Sequence, residues 1–221
     1  AHGDDVSTAG SDRAEWRAMS AELLAVDPVT AARRLLGATL YGRGVVATVV
    51  EVEAYGGPPS GPWPDAAAHS FRGPTPRSSV MFGPAGHAYV YFTYGMHHCL
   101  NVVTGVEGVA SGTLVRAGEV VGGVETARVR RGGAPDRDLA RGPARLCQAL
   151  AVDRSFDGTP LFEEGSRIRL EEGDTPDPEM ILSGPRVGVS REAERPWRFW
   201  IAGDPTVSVY RPAAPRRRTA R

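Results

Sequence analysis

The sequence predicts an α+β fold: a single mixed domain with a curved, largely antiparallel β-sheet flanked by helices. Three observations lead there. Strand-like segments follow one another in runs with few helical segments between them, which favours antiparallel pairing over alternating βαβ units. The chain has 221 residues, 41% of them hydrophobic and 24% charged, an ordinary globular composition with enough length for its own core. No repeat and no shift of composition marks a second domain.

Each element has a local reason. Residues 1–20 read as a flexible, acidic leader without the basic and apolar regions of a signal peptide. A helix follows, with Asp27 as N-cap, Pro28 at the first helical position and Gly37 just past the end; Ala31, Ala32, Leu35 and Leu36 give it an apolar face. Val45–Tyr55 is rich in β-branched residues and reads as a strand. Gly56–Pro76 is dense in Gly and Pro and reads as a long loop, and loops of about 20 residues inside domains are usually functional or disordered. His87–Thr93, His98–Thr104 and Gly112–Val121 read as three more strands. Gly123–Arg131 reads as a helix, and Gly142-Pro143 opens another that runs to about Ala151. Arg167–Glu171, Arg186–Val189, Arg198–Ile201 and Val207–Tyr210 read as short strands. The expected domain therefore spans residues 21–210, followed by a basic tail, residues 211–221.

Composition excludes whole classes of chemistry. All 26 basic residues are arginine. A phosphate-binding P-loop needs its lysine, and Schiff-base enzymes need a lysine amine, so neither is available unless an N-terminal amine substitutes. Cys99 and Cys147 cannot build a disulfide scaffold and lack zinc-site spacing. His97-His98-Cys99 alternate across a strand and cannot easily chelate one ion, and no Pro-Cys-x-x-Cys follows, so no metal is expected. The apolar runs, such as Val45–Val50, are far below the ~20 residues of a membrane span. A reduced cytoplasm is the expected compartment. The scarcity of Lys, Asn and Ile beside abundant Ala, Gly, Pro and Arg fits a G+C-rich bacterial gene.

The net charge is +0 but uneven: Thr126–Arg145 carries six Arg against two Asp, and Tyr210–Arg221 carries five Arg and no acid. Such clusters are either phosphate-binding surface or solvated faces.

Three stretches carry candidate chemistry. In Val50-Glu51-Val52-Glu53-Ala54-Tyr55, strand alternation puts Glu51, Glu53 and Tyr55 on one face, before the long loop. In Ala88-Tyr89-Val90-Tyr91-Phe92-Thr93-Tyr94-Gly95, Tyr89 and Tyr91 share a face and Tyr94 falls at a turn beside Gly95-Met96. Aromatic platforms of this kind stack on bases, although tyrosine is also an ordinary strand residue. Asn101 stands alone in the apolar Cys99–Val103, and Arg116 is a lone charge in Thr113–Ala117. The amide must be hydrogen-bonded or face a cavity, and the guanidinium calls for a carboxylate, for which Glu53 is suited.

These stretches and their neighbours resemble the alkyladenine (3-methyladenine) DNA glycosylase family. Glu51-Val52-Glu53-Ala54-Tyr55, Ala67-Ala68-His69-Ser70, Thr75-Pro76-Arg77, Met81–Gly86, Tyr89–Met96 and Leu100-Asn101 carry the resemblance. Leu114–Ala117, Gly142–Ala149 and Arg186–Val189 continue it in order, over roughly residues 20–210. At His97 and His98 the sequence departs from the aromatics of other members.

The resemblance implies a monofunctional enzyme with no cofactor, acting as a monomer on double-stranded DNA that holds damaged purines. It implies a mixed α/β domain whose β-hairpin projects into the DNA. Such an enzyme flips 3-methyladenine, 7-methylguanine or hypoxanthine out of the duplex and hydrolyses the N-glycosidic bond, starting base excision repair. In that frame Glu53 is the general base, and Arg116 and the carbonyl of Val187 hold the attacking water. Tyr55, His69, Tyr89 and Tyr91 form the pocket for the flipped base. Asn101 excludes normal guanine through its 2-amino group. Tyr94 intercalates where the base has left, with Met96 beside it. The enzyme is expected in the bacterial cytoplasm, on the nucleoid when bound to DNA. The alternative is a non-catalytic nucleic-acid binding module on the same fold, and it separates from the enzyme at Glu53, because a carboxylate near phosphates does not help a pure binder.

Overall fold

The computed structural model describes residues 19–214. Residues 1–18 of the expected leader and 215–221 of the expected tail lie outside that range, and Met19 is buried in the core. Two helices open the described chain, α1 (Ala21–Leu24) and α2 (Pro28–Leu35). Asp27 caps α2 by accepting the Thr30 N–H at 2.9 Å, which satisfies one of the donors a helix start leaves unpaired. Gly37 follows at φ +82°, where a Cβ would sit 2.1 Å from the Asp174 carbonyl oxygen, so the chain leaves the helix by a route open only to glycine.

β1 (Thr39–Gly42) and β2 (Val45–Tyr55) then form a hairpin turned by Arg43 and Gly44, both at positive φ. A second hairpin pairs β3 (Ala88–Thr93) with β4 (His97–Thr104), and the long β5 (Ser111–Gly122) follows. α3 (Val124–Arg130) and α4 (Pro143–Ala149) precede three short strands, β6 (Ile168–Glu171), β7 (Ile181–Gly184) and β8 (Arg198–Ile201). The strands make one eight-stranded sheet in the order β3-β4-β5-β2-β1-β6, with β8 also on β2 and β7 on β8. Every pairing of these strands is antiparallel, as the runs of strands imply.

The sheet separates two environments. Val52, Ala54, Val90, Leu100, Val102 and Val115 belong to the core, with Ala31, Ala32 and Leu35 of α2 and Leu146, Cys147 and Ala149 of α4. Residues one step out of phase point to the other face, where the polar site lies.

The sequence reading and the structure part in a few places. α1 and β1 were missed, because four-residue elements are too short for a period to show. Part of the long loop, His69–Arg72, is a short 3₁₀ turn. Arg186–Val189 is a turn and not a strand, since Gly188 adopts φ +69°; the strand lies earlier, at Ile181–Gly184. Val207–Tyr210 is not a strand either. Its backbone is taken up by side chains: Arg141 Nε donates to the Val207 carbonyl at 2.8 Å, and the Ser208 N–H donates to Glu51 at 2.7 Å. Arginines of the basic stretch are likewise occupied within the fold. Arg130 donates to the carbonyls of Ala149 and Arg43, Arg131 to that of Leu139, and Arg128 pairs with Asp136 at 2.7 Å. Among the described residues no helix is long and apolar enough to cross a membrane.

Candidate active site

The floor of the site is a row of directly opposed residues. Tyr89 pairs with Asn101, Asn101 with Leu114, and Leu114 with Glu53. Opposed residues share a face, so the register of β3, β4, β5 and β2 alone brings an aromatic, an amide and a carboxylate into one line. The row lies in a pocket of about 520 Å³. His69 and Ala67 from the long loop, the Val187–Arg191 segment, Pro143 and Ala144 at the start of α4, and Tyr94 on the β3–β4 hairpin complete its lining.

Glu53 is fully buried and bonded on both oxygens. Oε1 accepts the Tyr55 hydroxyl at 2.9 Å, and Oε2 accepts the Val187 N–H at 2.6 Å. Arg116 Nη1 stands 3.5 Å from Oε1. Two irregularities in the β2–β5 register explain this approach. Val50 on β2 and Arg116 on β5 each fall outside the ladder, between Val49↔Gly118, Glu51↔Ala117 and Val52↔Val115. Such bulges re-aim side chains and recur beside active sites.

The expected pairing of Arg116 with Glu53 is present, but Arg116 has a second and shorter contact. Its Nε donates to Glu51 Oε1 at 3.1 Å. Glu51 also receives Arg198 Nη1 at 3.3 Å and both the N–H and hydroxyl of Ser208, at 2.7 and 2.9 Å. Burial works against the Arg116 charge, but Glu53 and Glu51 outweigh it, and its pKa is raised.

A second ion pair braces the loop and the turn. Arg186, buried, forks onto Asp65 at 2.6 and 2.9 Å and donates to the Ala54 carbonyl at 3.0 Å. Asp65 in turn accepts the N–H groups of Gly56 and Ala67 at 3.0 and 3.1 Å, tying down both ends of the segment that leads to His69. Burial alone would raise the Asp65 pKa; the Arg186 bonds and charge reverse that and lower it. The Arg186 guanidinium also lies 4.6 Å from the Tyr55 ring centroid. Burial, then the Glu53 charge, push the Tyr55 hydroxyl well above its ordinary pKa, so it serves Glu53 as a donor.

His69, Tyr89 and Tyr91 form an aromatic cluster. His69 meets Tyr91 edge-on at 4.4 Å between centroids, and its Nδ1 lies 3.2 Å from the Tyr89 hydroxyl. Packing of the ring and the neighbouring Arg77 lower the His69 pKa, which keeps the imidazole neutral at pH 7. Asn101, 5% exposed, donates Nδ2 to the Tyr89 carbonyl at 3.3 Å.

The β3–β4 hairpin presents a different surface. Thr93 O accepts the Met96 N–H at 3.2 Å across a turn in which Tyr94 (φ 53°) and Gly95 (φ 67°) are both left-handed. That conformation is unusual for a bulky side chain and leaves the Tyr94 ring 86% exposed. Met96 is 67% exposed at the same tip but does not line the pocket. His98 packs against Phe92, 4.9 Å between centroids, while His97 and Cys99 line the pocket.

Of the residues singled out in the sequence, Glu53, Tyr55, His69, Tyr89, Tyr91, Tyr94, Asn101, Arg116 and Val187 all line the one pocket. Asp65, Ser208 and Arg198 went unnoticed. Asp65 had a readable signal, as the sole acid between Tyr55 and Glu107 in a Gly/Pro-rich stretch. Ser208 had none, because its value comes from a contact with a residue 157 positions away.

Comparison with known proteins points the same way as this geometry. Residues 22–205 match the family described as Methylpurine-DNA glycosylase (MPG). A protein of Mycobacterium sp. (strain KMS) is 55% identical over 200 residues, covering 89% of this chain and 97% of the relative. One of Nocardia farcinica (strain IFM 10152) is 56% identical over 206 residues, covering 92% and 97%. One of Mycobacterium tuberculosis (strain H37Rv) is 55% identical over 194 residues, covering 87% and 94%. Each of the three bears the name "Putative 3-methyladenine DNA glycosylase".

Proposed function

The chain belongs to the methylpurine-DNA glycosylase family, and from that membership we propose that it excises alkylated and deaminated purines from duplex DNA by hydrolysing the N-glycosidic bond. The observation that carries the proposal is Glu53, a carboxylate sealed from solvent on the floor of the pocket and held there by Tyr55, Val187 and Arg116.

The reaction centre, an anomeric carbon, is hidden in the duplex, so the nucleotide must first be extruded, at a cost of a few kcal/mol. Tyr94, projecting from the hairpin tip with Met96 beside it, fills the vacated stack and returns about 1–3 kcal/mol. The flipped purine enters between Tyr55, His69, Tyr89 and Tyr91. The Asn101 amide crowds the position of a guanine 2-amino group and so disfavours undamaged guanine. A water held by Arg116 and the Val187 carbonyl gives its proton to Glu53 as it attacks the sugar, and general-base catalysis of this kind is typically worth about 10²–10⁴-fold. The carboxylate also faces the positive charge that develops on the sugar as the base leaves.

No lysine amine is present in the sequence, which supports water as the nucleophile. The test is to incubate the protein with a duplex oligonucleotide carrying hypoxanthine or 3-methyladenine. Free base and an intact abasic site are expected, with strand cleavage only after added alkali and no protein–DNA adduct trapped by borohydride. Binding without release of base would instead favour the non-catalytic module.

A further inference from the structure

Glu51 does not line the pocket, yet it is as deeply buried as Glu53 and collects four donors: Arg116 Nε, Arg198 Nη1, and the N–H and hydroxyl of Ser208. A buried carboxylate is a poor choice for structure alone, since apolar residues of similar volume often stabilise as much or more. What sets Glu51 apart is whom it holds. Arg116 gives Nε to Glu51 and Nη2 to the Ser208 hydroxyl at 3.4 Å, which leaves Nη1 as the nitrogen directed at Glu53. The segment that carries Ser208 also steadies the turn bearing Val187, because the Gly188 N–H donates to the Arg211 carbonyl at 3.1 Å.

We propose that Glu51 and Ser208 form a positioning clamp for base excision, gripping Arg116 through two nitrogens so that the third stays poised between Glu53 and the attacking water. The proposal rests on the roles of Glu53 and Arg116 given above. Its electrostatic consequence is specific. Glu51, Glu53, Arg116 and Arg198 balance one another in a buried cluster. Glu53 is faced by Arg116 from β5, Tyr55 from its own strand, Tyr91 and Cys99 from the β3–β4 hairpin and Arg186 from the turn after β7. Glu51 is faced by Arg116 and Arg198. Without the charge on Glu51, Arg116 loses the anchor of its Nε and turns wholly to Glu53, away from the attacking water.

The experiment uses the full chain, with single-turnover release of hypoxanthine from a duplex oligonucleotide and duplex binding measured separately. Glu51→Gln should lower the maximal rate per folded molecule by about 10- to 100-fold, with affinity within about threefold. Ser208→Ala should lower the rate by less, again with affinity kept, and Ser208→Thr, which keeps the hydroxyl, should recover most of the rate. A rate loss that merely follows the loss of folded protein, or one matched by an equal loss of affinity, would overturn the clamp. Should Glu51→Gln fail to fold, the serine pair decides: equal rates per folded molecule in Ser208→Ala, Ser208→Thr and the native chain would also overturn it. Glu53→Gln separates this idea from its premise. Turnover by that variant removes the premise, whereas its inactivity beside native rates in the other variants removes the clamp alone.

Discussion

Glu51 and Glu53 sit two residues apart on one strand, face the same way and are equally buried, yet their surroundings differ in kind. Around Glu51 the fold is closed: two arginines and both donors of Ser208 meet its oxygens. Around Glu53 the donors are a hydroxyl and one backbone N–H, its arginine stands off at 3.5 Å, and a pocket of about 520 Å³ lies on the remaining side. Under the proposed mechanism Glu53 is the reactive carboxylate, and what sets it apart from Glu51 is not burial but room beside it for a reacting molecule, with partners that hold it without saturating it.

Replacing each carboxylate should expose this contrast as opposite losses. Glu51→Ala leaves the buried Arg198 without its carboxylate and Arg116 with Glu53 alone, and should cost about 3–5 kcal/mol of stability. Glu53→Gln keeps the shape and one accepting oxygen and should cost about 1–2 kcal/mol, with activity as its main casualty. Urea unfolding of both variants checks the ranking, and equal destabilisation would erase the distinction between the two sites.

Asp65 extends the comparison to the second ion pair. Asp65→Ala strands the Arg186 charge, at a cost of about 3 kcal/mol or more, and frees the loop that carries His69. Because the folded pKa of Asp65 lies below its ordinary value of 3.8, its contribution is complete above that value and is lost as the pH falls through the folded one. The native chain should therefore lose stability on acidification below about pH 4, and Asp65→Ala should show less of that loss. Unfolding curves between pH 2 and 7 read the difference.

Much of this arrangement was legible in the sequence, and the remainder was not, for physical reasons. The period-two spacing of Glu51, Glu53 and Tyr55 sufficed to place them on one face, and Asn101 and Arg116 stood out as lone polar residues in apolar strands. Spacing could not tell which carboxylate takes Arg116, because that depends on the irregularities at Val50 and Arg116 in the β2–β5 register. Nor could it assign the arginines of Thr126–Arg145 to carbonyl oxygens of the fold, since those partners are backbone atoms brought close only by packing. Val207–Tyr210 has the composition of a strand but spends its backbone groups on Glu51 and Arg141, partners remote in sequence.

Smaller effects sharpen the picture of the pocket itself. If Asn101 crowds a guanine 2-amino group as proposed, Asn101→Ser should raise excision of guanine-type bases relative to hypoxanthine by about tenfold. Rates for both bases from one preparation decide it, and an unchanged ratio would leave Asn101 as a bond to the Tyr89 carbonyl only. If Tyr94 fills the vacated stack as proposed, Tyr94→Ala should weaken excision by about 5- to 100-fold opposite a well-paired partner and least in single strands. Its thermal midpoint should hardly move, since Tyr94 is 86% exposed. Tyr91→Ala, inside the pocket, should reduce release from all substrates alike.

The most direct measurement is base release by Glu53→Gln from a hypoxanthine-bearing duplex, set beside its affinity for the same duplex. The amide keeps the shape of the carboxylate and loses its basicity. The account predicts that release falls by at least about 10²-fold while lesion binding stays within a few-fold of the native chain. Near-native release by Glu53→Gln would contradict it, and the closed and open carboxylates would then differ in surroundings without differing in task.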